Sequence, residues 1–190
     1  MKRVLVIGAS GSLAKYVIDT LLNVQDVQLT LLARNKSGMK SDTTGCTVVE
    51  ADVMEYDKLK NAVAGQDIVY INLAGDLEAM TKNIVKAMQE TGVRRVIAIS
   101  SIGIYLTTLK PVLLPYRKLA DVIESSGLDY TILRPDWFTS SNEVDYAITQ
   151  KGTPEKGTAI SRKSIAAFVA TLMQDPELHK NKNLGISKPQ

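Results

Sequence analysis

The chain has 190 residues, 45% of them hydrophobic and 23% charged, a length that suits one core and is too short for two ordinary domains. Its 23 basic and 20 acidic residues leave a net charge of +3, too small to argue for nucleic acid or an anionic membrane as partner. One cysteine and one histidine exclude an internal disulfide framework and a structural zinc site. We therefore expect a small-molecule partner and no metal.

The first seven residues resemble a short signal peptide, but Gly8, Ser10 and Gly11 break the apolar stretch and Lys15 follows soon after. No apolar run approaches the roughly 18 residues that a membrane-spanning helix needs. Together with the single cysteine, this predicts a soluble, cytoplasmic protein that is a monomer or a homodimer.

Short apolar, β-branched runs alternate with longer amphipathic stretches as far as Pro135, a pattern typical of βαβ units around a parallel sheet. In chain order the predicted elements are a strand at 3–7, a helix at 13–22, strands at 28–32 and 47–50, a helix at 57–64, a strand at 68–72, a helix at 77–91, a strand at 95–100, a helix at 116–125 and a strand at 129–133.

After Pro135 the pattern loosens into a polar stretch and a Gly/Pro/Lys-rich turn at 151–157, which predicts a small insert over the sheet at roughly 136–160 with one strand at 144–148. Ser161 is expected to cap a helix at 165–173, and a last strand is predicted at 183–187. No repeat or linker separates a second domain. Residues 1–190 are therefore predicted to form one α/β domain around a doubly wound parallel sheet.

The turn after the first strand has glycine-rich spacing of the form G-x-x-G-x-x-A. Gly8 allows a sharp turn, Gly11 allows the backbone to approach a pyrophosphate, and Ala14 allows the helix to pack closely on the strand. Free amides at the start of that helix favour an anion. In this strand–turn–helix context the motif predicts a nucleotide-binding Rossmann fold, with cofactor contacts from Gly8, Ala9, Ser10, Gly11, Ser12 and Leu13.

The second strand ends in Ala33-Arg34, where an NAD-binding protein would carry an acidic residue for the ribose hydroxyl. A guanidinium at this place can pair with a 2′-phosphate, so Arg34 favours NADP over NAD, with Asn35, Lys36 and Ser37 as auxiliary contacts. The alternative is an ordinary solvated loop charge.

Several short segments resemble the atypical short-chain dehydrogenase/reductase group, in particular the small NmrA-like NAD(P)H-binding proteins that include flavin reductases of the biliverdin-reductase-B type. The resemblance covers nearly the whole chain. It rests on residues 8–11, Ala33-Arg34, residues 51–53, residues 73–75, Ser100-Ser101 and the segment SGLDYTILRP at 126–135.

The resemblance implies that Asp52 and Val53 border the adenine ring and that Leu73, Ala74 and Gly75 line the cofactor cleft, together with Ser100 and Pro135. These positions follow the carboxyl ends of parallel strands, where open α/β sheets bind their ligands. Asp52 is alternatively a helix cap or turn residue, and Gly75 alternatively only a turn.

In the family, a serine after the fifth strand holds the substrate oxygen, which by resemblance assigns Ser101 a catalytic role, with Tyr105 at a familiar spacing beside the substrate. Carbonyl reduction also needs a proton donor, usually a tyrosine whose pKa is lowered by a lysine four residues later. The candidate donor is Tyr116, but Ala120 stands at that spacing and Lys118 lies on another side of the helix. Tyr116 is alternatively a helix-start residue at the edge of the cleft.

Without that lysine, carbonyl chemistry becomes less favourable, whereas a flavin or quinone accepts hydride at a ring atom and takes its proton from water. Trp137 and Phe138 follow the sixth strand at the rim where a planar acceptor would lie, and they either stack on it or pack beneath the insert. Tyr146, within the insert, is a further candidate to close the pocket.

The pattern as a whole predicts an NAD(P)H-dependent oxidoreductase that prefers NADPH and passes hydride to a small planar acceptor such as a flavin or quinone. Two alternatives stay open. One is a non-catalytic NADP(H)-binding redox sensor of the NmrA type, and the other is a nucleotide-sugar epimerase or dehydratase, for which the C-terminal part is short.

Overall fold

The computed structural model describes residues 1–155 and 157–189. Lys156, in the predicted turn, and Gln190 lie outside the described residues. The strands are β1 (Lys2–Ile7), β2 (Val27–Ala33), β3 (Thr47–Glu50), β4 (Ile68–Ile71), β5 (Arg95–Ile99), β6 (Asp129–Pro135), β7 (Phe138–Thr139), β8 (Ala147–Gln150), β9 (Ile160–Ser161) and β10 (Lys182–Ser187). The helices are α1 (Ser12–Leu21), α2 (Tyr56–Val63), α3 (Leu77–Thr91), α4 (Leu114–Glu124) and α5 (Arg162–Gln174).

Over the described ranges, eight strands form one sheet in the order β3-β2-β1-β4-β5-β6-β10-β8. All neighbouring pairs are parallel except β10 and β8. Val4 on β1 lies opposite Leu29 on one side and Ile68 on the other, so the chain order reverses around β1. This is the doubly wound α/β fold, and the fold class predicted from the sequence is confirmed.

The core has two layers, one on each face of the sheet. Val4 and Val6 are fully buried against one layer, which α1 and α5 cover, whereas Leu5 and Ile7 are fully buried against the other, which α2, α3 and α4 cover. A strand buried on both faces needs an uninterrupted apolar sequence. This explains why these strands appear in the sequence as continuous apolar runs and not as alternating apolar and polar residues. None of the described helices combines the length and apolarity needed to cross a bilayer.

Part of the C-terminal segment joins the main sheet, and another part forms a small separate sheet. β8 begins at Ala147, later than the strand expected at 144–148, and pairs antiparallel with β10 at the edge of the sheet. β7 and β9 form a separate parallel pair in which Phe138 lies opposite Ile160. β8 joins the main sheet because the unpaired side of β10 leaves backbone N–H and C=O groups without partners, and another strand can bond to them.

The helix that Ser161 was expected to cap is longer than the sequence indicated. α5 begins at Arg162 and ends at Gln174, whereas the prediction covered 165–173. The Ser161 side chain accepts a hydrogen bond from the Ser164 amide at 3.0 Å, so the predicted cap is present.

Candidate functional site

A large cleft opens at the carboxyl ends of the parallel strands, next to the residues that follow β1 and β4. Its volume is about 1110 Å³. Small-molecule sites usually measure roughly 300–1,000 Å³, so this cleft has room for a dinucleotide and a second molecule. The structure brings most of the predicted cofactor residues to its walls, namely Gly8, Ser10, Gly11, Ser12, Leu13, Arg34, Asp52, Val53, Leu73, Ala74, Ser100 and Pro135.

Two predicted cofactor residues do not line the cleft. Ala9 is 1% exposed and packs into the core beneath α1. Gly75 has a φ of +113° and forms the turn that leads into α3, which matches its alternative interpretation.

The turn after β1 has no space for a side chain. Gly8 has a φ of +85°, and a Cβ at this position would lie 2.1 Å from the Asn72 carbonyl oxygen. The amides of Gly8 and Ala9 both donate to the Leu32 carbonyl at 3.1 Å, which holds the turn against β2. A Cβ on Gly11 would lie 3.2 Å from the Gly8 oxygen. The backbone is therefore bare and rigid where a pyrophosphate would approach.

The start of α1 presents backbone donors to the same place. Its first helical hydrogen bond runs from the Lys15 amide to the Gly11 carbonyl at 3.2 Å, and no side chain caps the helix. The amides of Ser12, Leu13 and Ala14 therefore precede the helical hydrogen bonds and carry the positive end of the helix dipole. These residues fit the pyrophosphate of a nicotinamide dinucleotide.

Arg34 follows β2 directly and its exposed side chain lines the cleft. The Asn35 side chain, both polar groups of Ser37 and the backbone amide of Lys36 make hydrogen bonds within the protein. The Asn35 side chain accepts hydrogen bonds from the Ser37 amide at 2.9 Å and the Ser37 hydroxyl at 2.7 Å, and the Lys36 amide donates to Glu50 at 3.1 Å. Within the described ranges no ion pair involves Arg34, so its guanidinium is available to a ligand.

Asp52 forms the turn that its alternative interpretation suggested. Its carboxylate accepts the Met54 amide at 2.8 Å, and its own amide donates to Glu55 at 2.8 Å, which makes a tight turn before α2. It also borders the cleft, next to Val53.

The hydroxyl groups of the two serines after β5 are held by backbone oxygens. Ser100 donates to the Tyr116 carbonyl at 3.0 Å, and Ser101 donates to the Ile102 carbonyl at 3.2 Å. Both residues line the cleft, as does Tyr116 from the first turn of α4. Each hydroxyl still has lone pairs with which to accept a hydrogen bond.

No lysine of α4 stands beside Tyr116. Lys118 lies 3.7 Å from Glu78 of α3, and Ala120 is fully buried. The lysine that does line the cleft is Lys110, in the irregular segment before α4. Sequence reasoning missed it because no regular spacing relates an irregular loop to a site.

Tyr105 lies outside the cleft, in contrast to its predicted contact with substrate. Its ring packs beneath three cations, with Lys151 at 4.4 Å, Arg117 at 4.9 Å and Arg134 at 5.3 Å from the ring centroid. Burial raises the pKa of the Tyr105 hydroxyl, which accepts a hydrogen bond from Asn183 at 2.8 Å. Tyr105 lies in a turn that Gly103 begins, with a φ of +82° and a hydrogen bond from the Leu106 amide to the Gly103 carbonyl at 3.2 Å.

Trp137 and Phe138 both line the cleft. Trp137 is 83% exposed, so the interpretation that it packs beneath the insert is wrong. Tyr146 packs against Phe168 at 5.2 Å in the core layer of α1 and α5, and the suggestion that it closes the pocket is also wrong. The pairing of β8 with β10 carries that part of the chain away from the cleft.

An ion pair between the buried Arg134 and Glu155, a residue that lines the cleft, was not predicted. Arg134 is 1% exposed, and its Nε lies 2.7 Å from Glu155, whose second oxygen accepts the Gly103 amide at 2.9 Å. Glu155 belongs to residues 151–155, here called the strap, and it lines the cleft with Pro154. The partners are 21 residues apart and the strap is irregular, so no local pattern pointed to the pair.

The fold and this cleft define a class of dinucleotide-binding α/β protein. The chain belongs to the NAD(P)H-binding family, which matches residues 8–176. The resemblance to NAD(P)H-binding proteins drawn from the sequence is thereby confirmed.

Known proteins are similar over almost the whole chain. A Rossmann-fold NAD(P)-binding family protein from Shigella flexneri is 41% identical, with 100% of this chain and 94% of that one covered and a TM-score of 0.92. A short-chain dehydrogenase/reductase from Veillonella parvula, solved with NADP, is 23% identical, with 99% and 95% covered and a TM-score of 0.86. The isoflavone reductase homolog A622-like of Nicotiana tabacum is 23% identical over 98% of this chain and 68% of its own length.

Proposed function

We propose that the protein is an NADPH-dependent reductase that passes hydride to a planar flavin or quinone. The observation that carries the proposal is the composition of the cleft. One end has the pyrophosphate cradle, and the other end has aromatic and aliphatic walls with a tyrosine but no adjacent lysine on its helix. A candidate NADH-flavin reductase from Streptococcus pneumoniae has the same fold, with a TM-score of 0.79 at 14% identity.

The preference for NADPH rests on Arg34. No acidic residue follows β2 to grip a ribose hydroxyl, and the unpaired guanidinium lies in the cleft wall. A planar fork of donors matches the geometry of a 2′-phosphate. The Veillonella relative, which was solved with NADP, is in keeping with this choice.

When bound, the reduced nicotinamide supplies a hydride, which together with one proton from water converts the oxidised acceptor to its two-electron reduced form and leaves NADP⁺. The residues of this chain bind and orient the two molecules. The turn at Gly8 and the start of α1 hold the pyrophosphate, and Pro135 and Phe138 shape the wall beside the reacting rings. Tyr116 is not required to give up a proton.

The test measures NADPH oxidation with FMN, with a quinone and with a panel of aldehydes and ketones. Flavin or quinone turnover is expected, and Tyr116→Phe is expected to retain activity within about threefold, because the loss of a true general acid costs roughly 10²- to 10⁴-fold. Turnover of carbonyl compounds alone, abolished by Tyr116→Phe, would contradict the proposal.

A second candidate function is a redox sensor that binds NADP(H) without catalysis. It is favoured by the hydroxyls of Ser100 and Ser101, which donate to backbone oxygens. Tight binding of NADPH with no turnover of any acceptor would support it. The epimerase or dehydratase alternative is weakened because Tyr105, part of the serine-to-tyrosine spacing behind it, lies outside the cleft.

A further inference from the structure

The acceptor end of the cleft has three charged side chains on its walls, and only one of them is without a partner. Glu155 is bound by Arg134 and by the Gly103 amide. Asp136 accepts the Trp137 amide at 2.7 Å. Lys110 is exposed, and within residues 1–155 and 157–189 its ammonium makes no hydrogen bond or ion pair.

Apolar side chains are exposed around the same opening. Leu106, Val112 and Trp137 line the cleft and are 58%, 71% and 83% exposed. We call these three residues the mouth. Large apolar side chains that cluster at the edge of a cavity usually mark a surface that a ligand covers. The mouth therefore favours a ligand with an apolar ring, and Lys110 beside it favours an anionic group on that ligand.

We propose that the acceptor is an amphipathic anion, in which a planar apolar ring lies against the mouth and a phosphate or carboxylate pairs with Lys110. This inference rests on the proposed reductase function and narrows its substrate class from any flavin or quinone to those that carry an oxyanion. Asp136 also lines the cleft, and its negative charge disfavours an anion near it, which leaves Lys110 as the favourable partner. Arg34, at the coenzyme end beyond β2, remains free for the 2′-phosphate.

FMN and riboflavin provide the probe, because they share one ring system and differ by a phosphate. Each is titrated with saturating NADP⁺ present, so that the phosphate cradle is filled, and binding is followed by quenching of flavin fluorescence. Turnover with NADPH is measured separately. The variants are Lys110→Gln and, as a matched control, Lys118→Gln, which removes a lysine paired with Glu78 away from the cleft.

The wild-type protein is expected to bind FMN roughly threefold to tenfold more tightly than riboflavin, the range for a charge-assisted contact at an exposed site. Lys110→Gln is expected to remove this preference and leave riboflavin binding unchanged, whereas Lys118→Gln keeps it. Added salt is expected to weaken FMN binding alone, because it screens the exposed pair.

Equal binding of the two flavins by the wild-type protein, failure of both to bind, or a preference that survives Lys110→Gln would overturn the inference. These outcomes are separate from the fate of the reaction. FMN that binds through Lys110 but is not reduced would leave the anion contact standing and contradict the reductase. Reduction of both flavins with equal efficiency and equal affinity would support the reductase and contradict the anion contact at Lys110.

Discussion

At the residue scale, coenzyme choice depends on Arg34. The guanidinium is exposed, so water screens its charge, and its contribution depends on geometry more than on Coulomb attraction. Two parallel hydrogen bonds from the planar guanidinium to a phosphate compensate for much of the attraction that water screens. The ribose hydroxyl of NADH offers no charge to the same fork, so the side chain separates the two coenzymes.

We expect Arg34→Ala to raise the Kd for NADPH by roughly tenfold or more, since a hydrogen bond to a charged group contributes about 1.5–3 kcal/mol. The Kd for NADH should change by less than about threefold. Isothermal titration calorimetry with both coenzymes measures the two values. An equal loss for NADPH and NADH would remove the argument for a 2′-phosphate site.

At the element scale, the connection between β1 and α1 determines whether the cleft exists at all. Gly8 combines a left-handed backbone with a carbonyl oxygen, that of Asn72, at the place where a Cβ would be. Gly45 has a nearly identical φ of +80° but nothing within 4 Å of its added Cβ. The two positions therefore separate the effect of backbone strain from the effect of steric exclusion.

Gly45→Ala should lower the free energy of unfolding by roughly 1–2 kcal/mol, the cost of a left-handed backbone for an ordinary residue. Gly8→Ala should lower it by about 3 kcal/mol or more, because the turn must also move away from Asn72, and NADPH binding should be lost. Urea unfolding and calorimetry measure these effects. Equal destabilisation by the two substitutions would show that the contact with Asn72 has no energetic weight.

The strap is a second element, and Glu155 joins it to the cleft wall. Glu155 joins it to Arg134 at the end of β6 and to Gly103 in the segment after β5. Arg134 also donates to Asn183 of the neighbouring strand β10 at 2.5 Å, so the ion pair is joined to that strand as well. A guanidinium that is 1% exposed needs these partners, because an unpaired buried charge is costly.

Glu155→Gln should destabilise the protein by about 3 kcal/mol, because it leaves the Arg134 charge buried without its carboxylate. Glu177→Gln is the control, since Glu177 is 78% exposed in its pair with Lys180 and should have almost no effect. Thermal and urea unfolding of the two variants provide the comparison. If Glu155→Gln were as mild as the control, the ion pair would not hold the strap in place.

At the scale of the whole molecule, the sheet separates two core layers, and the cleft lies along its carboxyl edge. Side chains from the strands and the helices fill both layers, and the cleft lies beyond them at that edge. Ligand that fills this cleft contacts the ends of β1 to β6 at once. Binding therefore stabilises the folded state as a unit.

NADPH at about 100 times its Kd should stabilise the fold by about 2.7 kcal/mol, which for a chain of this size corresponds to a rise in Tm of roughly 5–10 °C. The same concentration of NADH should raise the Tm less. Differential scanning fluorimetry across a range of coenzyme concentrations measures both. No shift with either coenzyme would contradict nucleotide binding in the cleft.

Local spacing alone predicted much of this molecule. The first six strands, the first four helices and the glycine turn each depend on residues close together in the chain, through apolar runs, helical periodicity or the absence of a side chain. The position of Arg34 at the end of β2 could also be predicted from its spacing along the chain. These features could be predicted because the physics that produces them acts over a few residues.

The tertiary structure decided the rest of the site. Tyr105 lies among cations outside the cleft, Glu155 reaches Arg134, and Lys110 stands on the cleft wall, although no spacing in the sequence relates these residues to their surroundings. β8 joins the sheet because the edge of β10 was open, a fact about strands more than 30 residues apart. Contacts of this kind depend on which elements become neighbours after the chain has folded, and charge neutralisation and edge pairing act only once those neighbours are in place.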